Sequence, residues 1–195
     1  MSRVLVTAFG PYDRWTENSS WLALQDLTHW YDGSIELITR RYPVDLNRMT
    51  DALRRDMAST YDAAIHLGQS PGASLIQLEA VGLNVRTDGE AIIPDAVDAH
   101  RSRLPLNQIA GRLCDAGIPA EVSHHAGTYL CNAAMFLSQH FAQHFETGTP
   151  SVFVHLPLTP AESSRHAAER LPSMSTPLAS AAIGLMVDQF ASAVA

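Results

Sequence analysis

Three short apolar runs constrain this chain most: Val4–Ala8, Ala63–Leu67 and Val152–Leu156. Each spans five residues and meets Gly or Pro within two residues: Gly10-Pro11, Gly68 through Gly72, and Pro157. Runs of that length bounded by turn residues read as fully buried strands. Between them lie segments of helical period. Asn18 and Ser19 are capping residues ahead of a helix that runs to Trp30. Leu46, Met49, Leu53 and Met57 mark one face of a helix over Leu46–Ala58. Pro105–Ala116 reads as a helix stopped by Gly117, and Thr128–Phe145 as a long one. Ser34–Arg41, after the Asp32-Gly33 turn, and Ala120–Ser123 add strands. Leu75–Val85 reads as one further strand, and Thr87–Arg103 as a polar excursion. Pro160–Arg170 and Pro177–Val194 complete the pattern as helices. Strands alternating with helices predict an α/β protein with helices packed on a mixed, mostly parallel sheet.

No repeat or linker interrupts the 195 residues, so 1–195 is expected to be a single domain. The 46% hydrophobic content is ample for one core. The formal charge of −7 argues against a nucleic-acid binder, which needs a basic face. All 13 basic residues are arginine, so chemistry that needs a lysine is excluded. The first apolar run is too short for a signal peptide, and no run reaches the roughly 18–20 residues of a membrane span. A cytoplasmic location is the expectation, and there free thiols stay reduced.

In a sheet of this kind ligands gather at the carboxyl ends of the strands. The loops of interest are therefore Phe9–Tyr12, Gly68–Gly72 and His155–Leu158. Gly68-Gln69-Ser70-Pro71-Gly72 matches the serine nucleophile elbow in spelling. Half of that elbow's oxyanion hole is the N–H following the serine. Here the residue is Pro71, which has none. The loop is better read as shaping a pocket.

Of the two cysteines, Cys114 sits late in an amphipathic helix and reads as a packing residue. Cys131 stands near the start of a helix, with Thr128 as the expected N-cap and Cys131 as its third residue. Free amides and the helix dipole there favour a thiolate and can hold an oxyanion. His155 ends a strand ahead of Pro157, and Glu79 is a lone carboxylate in the apolar run Leu75–Val81. A carboxylate so placed is costly unless paired. Cys131, His155 and Glu79 thus form a candidate nucleophile, base and orienting group. His140 and His144, at i and i+4, and His124-His125 are weaker candidates for metal binding. A solvated helix face is the simpler reading of the first pair.

These motifs resemble pyroglutamyl peptidase I, the cysteine peptidases that remove N-terminal pyroglutamate. The resemblance rests on Val4–Tyr12, Leu67-Gly68-Gln69, Glu79–Asn84, Ile93-Pro94-Asp95, Ala126–Asn132 and Phe153–Pro157. The stretch around Cys131 is the most specific. The resemblance implies a three-layer α/β/α sandwich of the phosphorylase/hydrolase type. It implies a triad of Glu79, Cys131 and His155, with no metal or cofactor. It implies a lactam pocket of Phe9, Tyr12, Gln69, Tyr129 and Leu130, and substrates that are peptides with a blocked pyroglutamyl terminus. It also leaves a homo-oligomer open, dimer or tetramer, with Trp15 and Trp21 as candidates for an interface or the pocket mouth. The family commonly carries an arginine before Ile-Pro-Asp where this chain has Ile92, and Arg86 is the nearest substitute. A divergent, weakly active or inactive relative that binds blocked peptide termini, or an amidase for another N-terminal amide or lactam, is the alternative.

Overall fold

The structure, a computed structural model, describes residues 2–190. Its centre is a six-stranded sheet in the order β2-β1-β3-β8-β4-β7. The strands are β1 (Arg3–Phe9), β2 (Glu36–Tyr42), β3 (Ala63–Gln69), β4 (Ile76–Glu79), β7 (Ala120–Ser123) and β8 (Ser151–Leu156). Only the pairing of β4 with β8 is antiparallel; β1, β2, β3 and β8 run parallel, as do β4 and β7. The mixed, mostly parallel sheet read from the sequence is therefore correct.

Strand periodicity divides the core into two layers. Val4, Val6 and Ala8 of β1 and Val152, Val154 and Leu156 of β8 face α1 (Ser19–Trp30), α3 (Leu106–Asp115) and α6 (Thr176–Asp188). Leu5, Phe9 and Phe153 face the other way, onto α2 (Leu46–Met57) and α4 (Leu130–His144). The result is helices on both sides of one sheet. Parity fixes the next step. His155 lies on the Phe153 side of β8, and Gly68 is its neighbour in register on β3. Glu79 of β4 lies opposite in register to Phe153. All three face the α4 layer.

The predicted strand Leu75–Val85 is broken in two. β4 ends at Glu79, Ala80 leaves the sheet, and β5 (Val81–Leu83) pairs with β6 (Ala99–Arg101) in a separate antiparallel ribbon. Gly82 makes this ribbon fit: a Cβ there would lie 2.5 Å from the backbone nitrogen of Phe136 on α4. The polar excursion thus contains strand β6. The helix predicted over Pro160–Arg170 is α5 (Pro160–Arg165) plus a 3-10 turn, Ala167–Glu169, and Arg170 is left-handed. The last predicted helix corresponds to α6, and residues 191–194 of it lie outside the described residues. Trp15 is buried rather than exposed, with its ring edge-on to His166, and Trp21 is partly buried under Arg41. Cys114 is exposed, so it is not a core residue. Among the described residues no helix is long and apolar enough to cross a membrane.

Candidate active site

The site lies where β1, β3 and β8 end and α4 begins. Gly127, with φ of +77°, turns the chain into α4, and its N–H donates to His125 Nδ1 at 3.1 Å. Tyr129, not Thr128, is the N-cap, which makes Cys131 the second residue of the helix rather than the third. The cap has no side-chain hydrogen bond among the described residues, so the first helical N–H groups stay open. Asn132 anchors the next position. It is fully buried, accepts from Leu83 N–H at 2.8 Å, and donates to the carbonyls of Leu83 and Val85 at 2.9 and 3.0 Å.

Below Cys131 the sheet carries a buried ion pair. His155 Nδ1 and Glu79 Oε1 are 2.7 Å apart, with the Glu79 side chain 1% exposed. Glu79 Oε2 has no partner among the described residues, so His155 alone compensates the buried carboxylate. Burial works against the charged imidazole, but hydrogen bonds to Cys131 and Glu79, and their negative charges, push His155 up to about 9. Cys131 and Glu79 thus both favour the charged imidazole, and these are the three groups that the sequence singled out. Gly68 supplies room: a Cβ there would lie 2.6 Å from Phe153 and 3.2 Å from Cys131 Sγ.

Beside Cys131 opens a small cavity of about 70 Å³. Its lining includes Phe9, Tyr12, Gln69, Tyr129 and Leu130, the five expected pocket residues, together with Cys131 itself. Asn18 and Val44 also line it, and the sequence did not point to them. No lining side chain is acidic. Gln69 Oε1 accepts from Ser19 N–H at 2.8 Å, whereas its Nε2 is buried without a partner among the described residues. The Tyr12 hydroxyl donates to the Gln69 carbonyl at 3.4 Å. Burial, and the nearby Cys131, push the Tyr12 phenol up to about 12, against the amide of Gln69, so it remains a donor at neutral pH. Tyr129 is 57% exposed, and with Leu130 it also lines a larger groove beside Asp45, Asn47, Arg86 and Thr128.

Arg86, the nearest substitute for the arginine missing at Ile92, is half-buried, and its guanidinium is held by Asp88, at 2.6 and 3.1 Å. Ile92 instead packs with Ile93 against the apolar layer on which Cys131 also rests. His140 is not on a fully solvated face. It stacks on Phe136, with the buried His100 ring 6.0 Å away. Among the described residues no three His, Cys, Asp or Glu side chains group in a way that could hold a metal ion.

The sequence profile of the pyroglutamyl peptidase family matches residues 2–192. A pyrrolidone-carboxylate peptidase of Pectobacterium atrosepticum is 32% identical over 97% of this chain and 93% of its own length. One from Clavibacter michiganensis subsp. michiganensis is 36% identical over 84% of this chain and 82% of its own. The crystal structure of the pyrrolidone carboxyl peptidase of Fervidobacterium islandicum superposes with a TM-score of 0.91 at 30% identity, covering 98% of this chain and 99% of that one. The Thermococcus litoralis enzyme gives 0.87 at 30% identity, over 98% and 94%. A family profile that spans almost every residue, joined to relatives of this similarity and coverage, shows that the chain belongs to the pyroglutamyl peptidase family.

Proposed function

We propose that this chain removes N-terminal pyroglutamate from peptides by thiol catalysis, with Cys131 as nucleophile, His155 as acid and base, and Glu79 as the group that orients His155. The observation that carries this reading is the meeting of the buried His155–Glu79 pair with a cysteine at an open helix N-terminus, beside a small non-acidic cavity.

The chemistry follows from the parts. A pyroglutamyl ring is flat and neutral, and it packs against Phe9, Tyr12 and Leu130. The free Nε2 of Gln69 donates to the lactam carbonyl. A free α-ammonium group finds no carboxylate in the lining, which selects for blocked termini. The Cys131 thiolate attacks the carbonyl carbon of the scissile amide, and the electron pair of its π bond moves to oxygen. Backbone N–H groups at the start of α4 stabilise that oxyanion. When the tetrahedral intermediate collapses, the C–N bond breaks and the His155 imidazolium gives its proton to the leaving amine. Neutral His155 then takes a proton from water, hydroxide adds to the thioester, and pyroglutamate leaves as Cys131 recovers its thiolate. Glu79 holds one tautomer and balances the imidazolium throughout.

The test is turnover of pyroglutamyl aminomethylcoumarin by wild type, Cys131→Ser and Cys131→Ala. Wild type is expected to cleave it, and both variants to lose at least about three orders of magnitude in kcat. Iodoacetamide should label Cys131 faster than the exposed Cys114. Normal turnover by the Cys131 variants would refute the assignment.

A further inference from the structure

The loop between β1 and α1, residues 10–18, carries Tyr12 and Asn18 into the cavity and leads to Ser19, whose N–H holds Gln69 Oε1. Its own sequence gives it little to stand on. Trp15 is its one buried large side chain, and Asp13 is left-handed with φ of +51°. The loop is fastened from outside, by the segment that follows β8. Arg14 makes two 2.7 Å bonds to Glu169, but both side chains are exposed, and such a pair contributes little. Trp15 packs edge-on against His166, with ring centres 4.7 Å apart.

The third tie is buried. The Glu162 side chain is 1% exposed. Its carboxylate accepts from Thr16 N–H at 3.3 Å, Thr16 Oγ1 at 3.0 Å and Glu17 N–H at 3.1 Å. Arg165 donates to it at 2.8 Å, and His166 Nε2 stands 3.6 Å away. Burial pushes the carboxyl up, yet the bonds from Thr16 and Glu17 and the charge of Arg165 outweigh it, so Glu162 is held below its ordinary value. Directly after Glu17 comes Asn18. Its amide donates to the Gly10 carbonyl at 2.9 Å, and its Oδ1 accepts from Ser20 N–H at 3.0 Å. From Glu162 to Gln69 the path therefore has no free joint: carboxylate, Thr16-Glu17 backbone, Asn18, Ser19 N–H, Gln69 amide.

We propose that Glu162 is a positioning residue for the pyroglutamyl pocket: it pins the Tyr12–Asn18 loop and, through Ser19, fixes the Gln69 amide so that Nε2 is presented to the lactam. This rests on the pocket reading under the proposed function. Glu162 touches neither the substrate nor Cys131. Its loss lets the loop shift and the amide turn, which weakens ring recognition and leaves the His155–Glu79 pair in place.

The experiment compares wild type, Glu162→Gln and Thr16→Val on pyroglutamyl aminomethylcoumarin, with the iodoacetamide labelling rate of Cys131 measured across pH on each. Glu162→Gln keeps the shape but faces the Thr16 and Glu17 donors with one acceptor oxygen and an NH2. It is expected to raise KM about tenfold, with kcat changed less than about threefold and the labelling profile unmoved. Thr16→Val removes one donor at an exposed position and should raise KM about threefold, so the proposal stays exposed to test even where Glu162→Gln folds poorly. Unchanged KM in Thr16→Val, or losses that fall on kcat and on the labelling rate, would overturn it. A wild type with no turnover of this substrate would instead remove the proposed function, and this inference with it.

Discussion

At the scale of single residues the site depends on one missing side chain and one proton. Gly68 is not required for its backbone angles. It is required because Cys131 Sγ and the ring of Phe153 occupy the space of a Cβ. Phe153 is fully buried and cannot yield. Gly68→Ala should therefore push Sγ off line, with about a hundredfold loss of kcat/KM, while costing about 1–3 kcal/mol in urea unfolding. A purely structural loss, with kcat/KM intact at low denaturant, would contradict this. The proton is that of His155. With His155 near 9, the charged imidazole persists well above neutrality, and the alkaline limb of the pH–rate profile reports its loss. Glu79→Gln removes an anion that favours the charged form, so that limb should move to lower pH. A limb that stays in place would mean that Glu79 does not set the charge on His155. Both residues were accessible from sequence for a physical reason. A carboxylate in an apolar strand and a His at a strand end are anomalies that need partners. Gly68 was seen only as part of a glycine-rich loop, because the atoms it accommodates come from residues far along the chain.

At the scale of elements, the N-terminus of α4 is set by what is tied to it. The reading of Thr128 as cap was off by one because Tyr129 takes the extended cap conformation without any side-chain bond. A residue that caps by backbone alone leaves no mark in composition. The break of Leu75–Val85 at Ala80 was hidden likewise, since the apolar run continues across it. The clue was Gly82, whose role is close approach to α4. Asn132 then stitches β5 to the helix one residue beyond Cys131. Asn132→Ala strands three buried or half-buried backbone groups and should cost about 2–4 kcal/mol, with slower Cys131 labelling as the helix start loosens. Equal labelling rates in a folded variant would show that the ribbon does not hold the helix start. Glu162 illustrates the limit of local reading. Thr159-x-x-Glu162 has the spacing of a capping box, and Thr159 Oγ1 does accept from Glu162 N–H at 3.1 Å. The carboxylate, however, goes to Thr16 and Glu17, about 145 residues earlier in the chain, and nothing local signals that.

For the whole molecule, the alternation of buried strands and helices was legible because burial on both faces leaves no other pattern. Strand order was not legible, since β8 inserts between β3 and β4 on contacts that lie far apart in sequence. One buried polar residue joins the layers so formed. His66 of β3 is fully buried, 2.8 Å from Thr7 Oγ1 on β1 and 2.8 Å from Ser138 Oγ on α4. Burial pushes it from an ordinary 6.5 down to about 3, so the folded protein holds it neutral. The unfolded chain takes a proton first as the pH falls. The stability due to neutral His66 is therefore complete above pH 6.5 and is lost progressively toward pH 3. Between pH 7 and pH 5 this amounts to about 2 kcal/mol. His155 acts with the opposite sign: its stabilising contribution is fully present below 6.5 and is lost as pH rises through about 9. The two are separated by comparing wild type with His66→Gln in urea unfolding at pH 7 and pH 5. The variant is expected to be less stable at pH 7 but to lose about 2 kcal/mol less on acidification. Parallel pH dependences would mean that His66 is not the group coupling acid to unfolding of the sandwich.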